Sequence, residues 1–200
     1  RWDCYAVTDE VYEHILYDDA RHISLASLPG MEHRTVTINS VSKSYSVTGW
    51  RVGWAIAHAP ITQRIRKVHD FLTVGAPTPF QRAAVVGLAF PEQYYRDLQA
   101  RYAEARELLA KTLSGTGFRP SIPKGAYYIL ADVSDLLARL GAADDDSFAR
   151  RLIELTGVAT VPGSSFYSNP AKGRTQVRFC FAKRWETLHA VDAALRNALA

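Results

Sequence analysis

Apolar and polar positions follow two different periods along this chain. Near the start the apolar residues come in short β-prone runs. Cys4-Tyr-Ala-Val-Thr8 ends at Asp9-Glu10, Thr35-Val-Thr-Ile-Asn39 closes on Ser40-Val-Ser-Lys43, and Arg51-Val-Gly-Trp-Ala-Ile-Ala57 follows Thr48-Gly49. Runs of this kind predict buried strands of one sheet. Each delivers polar residues at its end, and in open α/β sheets ligands bind beyond the carboxyl ends of the strands.

The period then becomes helical. One helix is expected over residues 60–72 and a second over 79–89, with Pro77 and Pro79 punctuating the gap. The longest is expected over 91–113, where Tyr95, Leu98, Tyr102, Ala105, Leu109 and Leu113 form one apolar stripe and Gly115 ends it. Gly115, Gly117 and Pro120 cluster behind it, which places a domain boundary there and divides the chain into 1–114 and 115–200. The second part reads as a strand at 126–133, a helix at 146–156, strands at 158–161 and 176–182, and a closing helix at 185–199. Asp144-Asp145-Asp146 suits the N-terminus of the first of these helices, where the macrodipole favours carboxylates. The architecture is therefore α/β in the first part and a small α+β layer in the second.

Composition narrows the classes. The 200 residues carry 24 Lys+Arg against 20 Asp+Glu, a net charge of +4, and 48% of them are hydrophobic. These are globular values, and they exclude a disordered, collagenous or coiled-coil chain. The longest apolar stretch, residues 83–90, is far below the ~20 residues that span a bilayer, and no signal-type apolar block opens the chain, so neither a membrane span nor secretion is expected. Cys4 and Cys180 sit far apart in apolar runs, which reads as two reduced core thiols and a cytoplasmic setting. The densest basic cluster, Arg64, Arg66 and Lys67, falls on a helix, so no nucleic-acid partner is expected. The histidines show no ligand spacing, and no metal is expected. The chain starts at Arg1 and a strand-like run follows at once, which reads as a piece of a longer protein.

The informative stretch is Ser40-Val-Ser-Lys43-Ser-Tyr-Ser-Val-Thr-Gly49-Trp-Arg51-Val-Gly53. It sets a lysine just past an apolar strand and an arginine inside the next apolar segment, where charges are rarely placed without a task. A desolvated lysine becomes a neutral amine, the form that attacks a carbonyl to make a Schiff base. A neighbouring arginine recognises phosphate in its plane, and serines add hydroxyl and backbone donors. Amine plus phosphate cradle is the pattern of a pyridoxal 5'-phosphate site, and Asp9 adds a carboxylate able to keep the cofactor's pyridine nitrogen protonated. Taken singly, Asp9 also reads as a helix cap, Tyr12 as core packing and Lys43 as a surface residue.

Ser40 to Gly53 resembles the lysine signature of the class I and II aminotransferases, the aspartate-aminotransferase-like family of fold type I pyridoxal-phosphate enzymes. Thr8-Asp9-Glu10-Val11-Tyr12 resembles the family's aspartate and tyrosine segment, and Val177-Arg178-Phe-Cys-Phe-Ala182 its carboxylate-binding arginine segment. The resemblance covers nearly all of this chain and about the C-terminal half of a family chain. It implies part of the large-domain sheet in 1–114 and the small C-terminal domain in 115–200. It further implies that Lys43 carries the cofactor and moves the substrate's proton, and that Asp9 pairs with the pyridine nitrogen. Tyr12 would then bond the ring's phenolic oxygen, Ser40 and Arg51 the phosphate, and Arg178 the substrate's α-carboxylate.

Trp50-Arg51-Val-Gly-Trp54, Pro123-Lys-Gly-Ala-Tyr-Tyr128 and Arg178-Phe-Cys-Phe-Ala-Lys183 resemble most the subgroup that includes kynurenine aminotransferases and glutamine transaminases. The resemblance implies ping-pong transfer of an amino group from an L-amino acid, whether aromatic, glutamine- or methionine-like, or aspartate, to a 2-oxo acid, by a protein that is a homodimer at full length. Tyr127, Tyr128 and Phe166 are then candidates to line a pocket for aromatic side chains. A cysteine-S-conjugate β-lyase on the same cofactor, and the aminotransferase-like sensor domain of a transcription regulator, are the alternatives that these motifs leave open.

Overall fold

A computed structural model describes residues 3–199. By internal contacts the chain forms two units, Arg1–Gln99 and Ala100–Ala200. The division between these units falls within the long helix expected from the sequence.

The first unit is built on a three-stranded sheet of β1 (Ala6–Asp9), β2 (Thr35–Ser40) and β3 (Gly53–Ile56), in that order. β1 and β2 are parallel, with Asp9 opposite Ile38, and β3 returns antiparallel, with Gly53 opposite Ser40. A parallel pair needs a long crossover, and residues 10–34 supply it with two short 3-10 turns, Leu25–Ser27 and Glu32–Arg34. Glu10 fastens that crossover. Its buried carboxylate accepts from Thr8 Oγ1 (2.9 Å), Ser24 Oγ (3.0 Å) and His22 Nε2 (2.8 Å). Two helices follow, α1 (Ala59–Leu72) and α2 (Thr78–Leu88), each with proline in its first turn.

Strand alternation divides this sheet unusually. Thr35, Thr37 and Asn39 face inward and are buried, whereas Val7 and Ile38 on the other face are exposed, as is Asp9. The expected buried strand at the start of the chain is thus half exposed. The small apolar core of this unit lies beside the sheet, where Val41, Val52 and Ala84 are packed by Tyr45, Val47 and Trp50.

The second unit takes most of α3 (Glu92–Gly115) and a four-stranded antiparallel sheet, ordered β4 (Arg119–Ser121), β5 (Tyr128–Asp132), β7 (Gln176–Cys180), β6 (Val161–Pro162). Ile129, Ala131, Val177 and Phe179 form its inner face, at 3% exposure or less. The predicted stripe of α3 is buried at Tyr102, Ala105, Leu109 and Leu113, with the Tyr102 ring against Tyr127 and Phe181 of the same unit. Phe118 meets Phe148 and Phe179 edge-on at 6.0 and 5.3 Å, a favoured arrangement for aromatic quadrupoles. The short α4 (Ser134–Leu137), α5 (Asp145–Thr156) and α6 (Trp185–Leu199) complete the unit. Asp144 caps α5 in a reciprocal box with Ser147, and Gly157 ends it at φ +72°.

The cysteines correct an expectation. Both are free, but neither is in a core: Cys4 is exposed ahead of β1, and Cys180 alternates with inward Phe179 and so lies on the open face of its sheet. Among the described residues no helix is long and apolar enough to cross a membrane.

Three anchored carboxyls give the fold an acid sensitivity. Burial pushes Glu10 and Asp132 up, but their hydrogen bonds outweigh it, so both lie below the ordinary carboxylate range; Asp192 is held low chiefly by Thr112 Oγ1 at 2.6 Å. Groups depressed in the folded chain bind more protons once unfolded, so their stabilisation is full above ordinary carboxylate values and is lost as the pH falls through the folded ones. Urea midpoints are therefore expected to hold near neutrality and to fall below about pH 4. Asp132→Asn should lower stability at neutral pH and flatten part of that acid decline.

Candidate active site

Strand ends and one turn build a single hollow in the first unit. Asp9 is the last residue of β1 and Ser40 the last of β2, and both lie on the open face of the sheet by alternation. The chain then turns over residues 41–46, closed by Tyr45 N–H to Val41 O (3.3 Å) and Ser46 N–H to Lys43 O (3.2 Å), and Lys43 sits at its middle. Ser42 and Ser44 on either side are buried. A 3-10 turn, Thr48–Trp50, leads to Arg51, which takes the left-handed conformation (φ 56°, ψ 41°) that L-residues avoid.

Packing holds this backbone in place. Trp50 stacks on Phe80 at 5.1 Å, Thr48 Oγ1 donates to Ser42 O (3.0 Å), and Val41 N–H donates to Val52 O (3.2 Å). Gly53 is needed where it stands, since a Cβ there would lie 2.7 Å from Asn39 O.

Asp9, Ser40, Lys43 and Arg51 all line this hollow of about 490 Å³, together with Ser42, Thr48 and His69. Tyr12 is not among its lining residues. No hydrogen bond or ion pair to another described residue engages Lys43 Nζ, and Asp9 accepts only the Val11 amide (3.2 Å). Arg51 Nη1 donates to Thr48 O (3.0 Å), which aims the guanidinium and leaves its other donors for a ligand. A free amine, an unpaired carboxylate and a hydroxyl–guanidinium pair around one space match the parts of pyridoxal 5'-phosphate: aldehyde, pyridine nitrogen and phosphate. Thr48 and His69 were not singled out in the sequence; Thr48 was within reach as a hydroxyl in the Ser40–Gly53 run, whereas His69 comes from a helix with no local signal.

Arg178 belongs to the second unit, on the open face of β7. Its guanidinium carbon lies 4.2 Å from the ring centre of Tyr128 and 4.5 Å from that of Phe166, so two aromatic rings flank the cation. No carboxylate among the described residues pairs with it. What stays open is its N–H edge, the part that grips a carboxylate at two points. Phe166 ends a 3-10 turn, Gly163–Phe166, that Asp145 Oδ2 ties down by accepting Ser164 N–H (2.7 Å). Gly163 and Gly173 touch behind that turn, and a Cβ on Gly173 would come within 2.4 Å of Gly163 C.

Residues 1–193 match the family model described as aminotransferase class I and II. The chain belongs to the class I and II aminotransferases. It is 37% identical to kynurenine–oxoglutarate transaminase 1 of Homo sapiens over 98% of this chain and 50% of that protein. It is 35% identical to the methionine aminotransferase of Escherichia coli K12, over 98% of this chain and 49% of that one. Among solved structures, N-succinyldiaminopimelate aminotransferase from Mycobacterium tuberculosis superposes with a TM-score of 0.89 at 35% identity, covering 98% of this chain and 50% of its own. The chain thus spans about half the length of the relatives it matches. The family is pyridoxal-phosphate-dependent, and the fold is its fold type I architecture.

The strained arginine separates stability from binding. Arg51→Gly should leave the first unit as stable or more so, by on the order of 1 kcal/mol, because glycine takes positive φ freely. The same change should weaken inorganic phosphate binding in the hollow, measured by calorimetry alongside urea unfolding.

Proposed function

We propose that this chain is the cofactor- and substrate-binding part of an aminotransferase that moves an amino group from an L-amino acid to a 2-oxo acid in two half-reactions. The observation that carries the reading is Lys43: an amine without a partner, facing a hollow shared with Asp9, Ser40 and Arg51. When bound, pyridoxal 5'-phosphate supplies a carbonyl for an amine and a ring that draws electrons from the substrate's Cα.

The residues divide the work by chemistry. Lys43 Nζ would hold the cofactor and would be the amine that takes the proton from the substrate's Cα and returns it. Asp9 would pair with the pyridine nitrogen and keep its proton in place. Ser40 Oγ and the Arg51 guanidinium would hold the phosphate, and Tyr12, outside the lining of the hollow, is the residue proposed for the ring's phenolic oxygen. Arg178 grips the α-carboxylate along its open edge, which fixes the Cα–H bond for cleavage. The rings of Tyr128 and Phe166 beside it support an aromatic or otherwise apolar amino acid as donor, in line with the kynurenine and methionine relatives.

The organisation we propose is large-domain sheet and long helix in 1–114 and small domain in 115–200, working in a cytoplasmic homodimer. Support for the dimer comes from apolar side chains left in solvent on the first unit, Phe71, Leu72, Val74, Val85 and Val86 among them.

The test is spectroscopic. On adding pyridoxal 5'-phosphate to the chain, we expect a visible band that is absent in Lys43→Ala and shifts with an amino acid. Arg178→Gln should keep the band but raise the amino acid concentration needed by roughly ten- to hundredfold, the worth of a charged hydrogen-bond pair. A folded chain that shows no band, or a band unchanged by Lys43→Ala, would overturn the reading.

A further inference from the structure

The residue before Ser40 points the other way. Asn39 is buried, its Nδ2 donates to Glu13 Oε1 (2.6 Å), and its Oδ1 accepts the backbone N–H of Ser40 (2.7 Å). Glu13 lies in the turn that follows β1, 3.5 Å from His14 Nε2. The His14 ring lies against Tyr95 of α3 (4.1 Å between centres), and Tyr95 Oη meets Tyr45 Oη at 2.6 Å. Tyr45 belongs to the lysine turn. Next to it, Tyr94 Oη donates to Ser44 O (2.7 Å), and the rings of Tyr94 and Tyr45 run parallel at 5.8 Å.

A chain of hydrogen bonds, one ion-pair contact and one ring contact therefore joins the three segments that carry Asp9, Ser40 and Lys43, and fastens them to the first turn of α3. Glu13, Tyr45 and Tyr95 do not line the hollow. Burial pushes the Tyr45 hydroxyl up, helped by its bond to Tyr95, so the Tyr45–Tyr95 link joins two neutral hydroxyls near neutrality, and burial pushes the His14 ring down against the pull of Glu13. Phenylalanines would fill the Tyr45 and Tyr95 sites with little loss of apolar contact. A half-buried hydroxyl pair instead costs some desolvation and favours one mutual placement, which is the mark of a group that sets register.

We propose that Asn39, Tyr45 and Tyr95 are positioning residues that set where the Lys43 amine stands at the hollow. This rests on Lys43 being the cofactor lysine. The mechanism is mechanical: the hydroxyl pair and the Tyr94–Ser44 bond hold the turn just after Lys43, while Asn39 fixes the strand end from which it springs.

The test compares the chain with Tyr45→Phe, Tyr95→Phe and the double variant. Each is treated with pyridoxal 5'-phosphate, reduced with borohydride and digested, and label at Lys43 is read against label at Lys67, Lys111 and Lys172 in the same sample. Hydrogen exchange at the Tyr45 and Ser46 amides and thermal unfolding are recorded in parallel. Each single variant should slow Lys43 labelling roughly two- to tenfold, the range of one net hydrogen bond. The double variant should do no worse than the slower single, because the hydroxyls act as a pair. The other lysines should be unchanged and the turn amides should exchange faster. Lys43 labelling and turn exchange equal to the parent's in both single variants would overturn the proposal, as would a slowing shared by every lysine. If Lys43 of the parent labels no faster than Lys67, the cofactor assignment fails, while faster exchange confined to the turn would still uphold the positioning role. Asn39→Asp, which sets a second carboxylate against Glu13 at unchanged size, is the arm to use if the phenylalanine variants unfold, and it should slow Lys43 labelling in the same way.

Discussion

The path from β2 into β3 is the constraint on which the candidate site depends. To set a strand-end serine, a lysine and an arginine around one space, the backbone must reverse within Ser40–Gly53 and take positive φ at both Ser46 and Arg51. Each such position stores on the order of 1 kcal/mol and persists only where its surroundings over-determine it. Here the Val41–Val52 hydrogen bond, the Trp50–Phe80 stack and the tyrosines of α3 together do so. The strain is the cost of presenting two cations on short, well-fixed backbone.

The two units solve burial differently. The second closes a sheet over Phe118, Phe148 and Phe179 in the usual way, apolar face inward. In the first, the inward face carries Thr35, Thr37 and Asn39, and the Oγ1 atoms of both threonines have no partner among the described residues. Apolar groups are instead left outside at Val7 and Ile38. A polar interior behind the strand ends is a poor way to gain stability, but it supplies the groups that hold those ends in register.

Local chemistry was the legible part of the sequence. The closing helix was readable end to end because its apolar period is self-contained, and the acidic cap of α5 because it needs only neighbours. The lysine, the serine and the arginine of the turn could be read from one run of residues. Asp9 could be read from its place at the end of a strand, whereas Arg178 needed the resemblance as well, because nothing local links it to Lys43. What stayed hidden depends on partners distant in sequence. The outward placement of Cys180 follows from which face of β7 the helices cover, and the Tyr45–Tyr95 contact joins residues that only the fold brings together. The strand expected at 158–161 shrank to Val161–Pro162 for a related reason: only those residues find ladder partners on β7.

The contact of Gly163 with Gly173 reaches further than its size suggests. Neither residue touches substrate in the proposed scheme, yet any side chain on either would push apart the turn that carries Phe166 and so uncover one face of Arg178. A glycine-to-alanine change here would look conservative in a list of variants and would leave every chemical group of the site intact. Its phenotype would nonetheless be that of a damaged carboxylate receptor, so inheritance of this protein's function passes through two positions that carry no functional atoms at all.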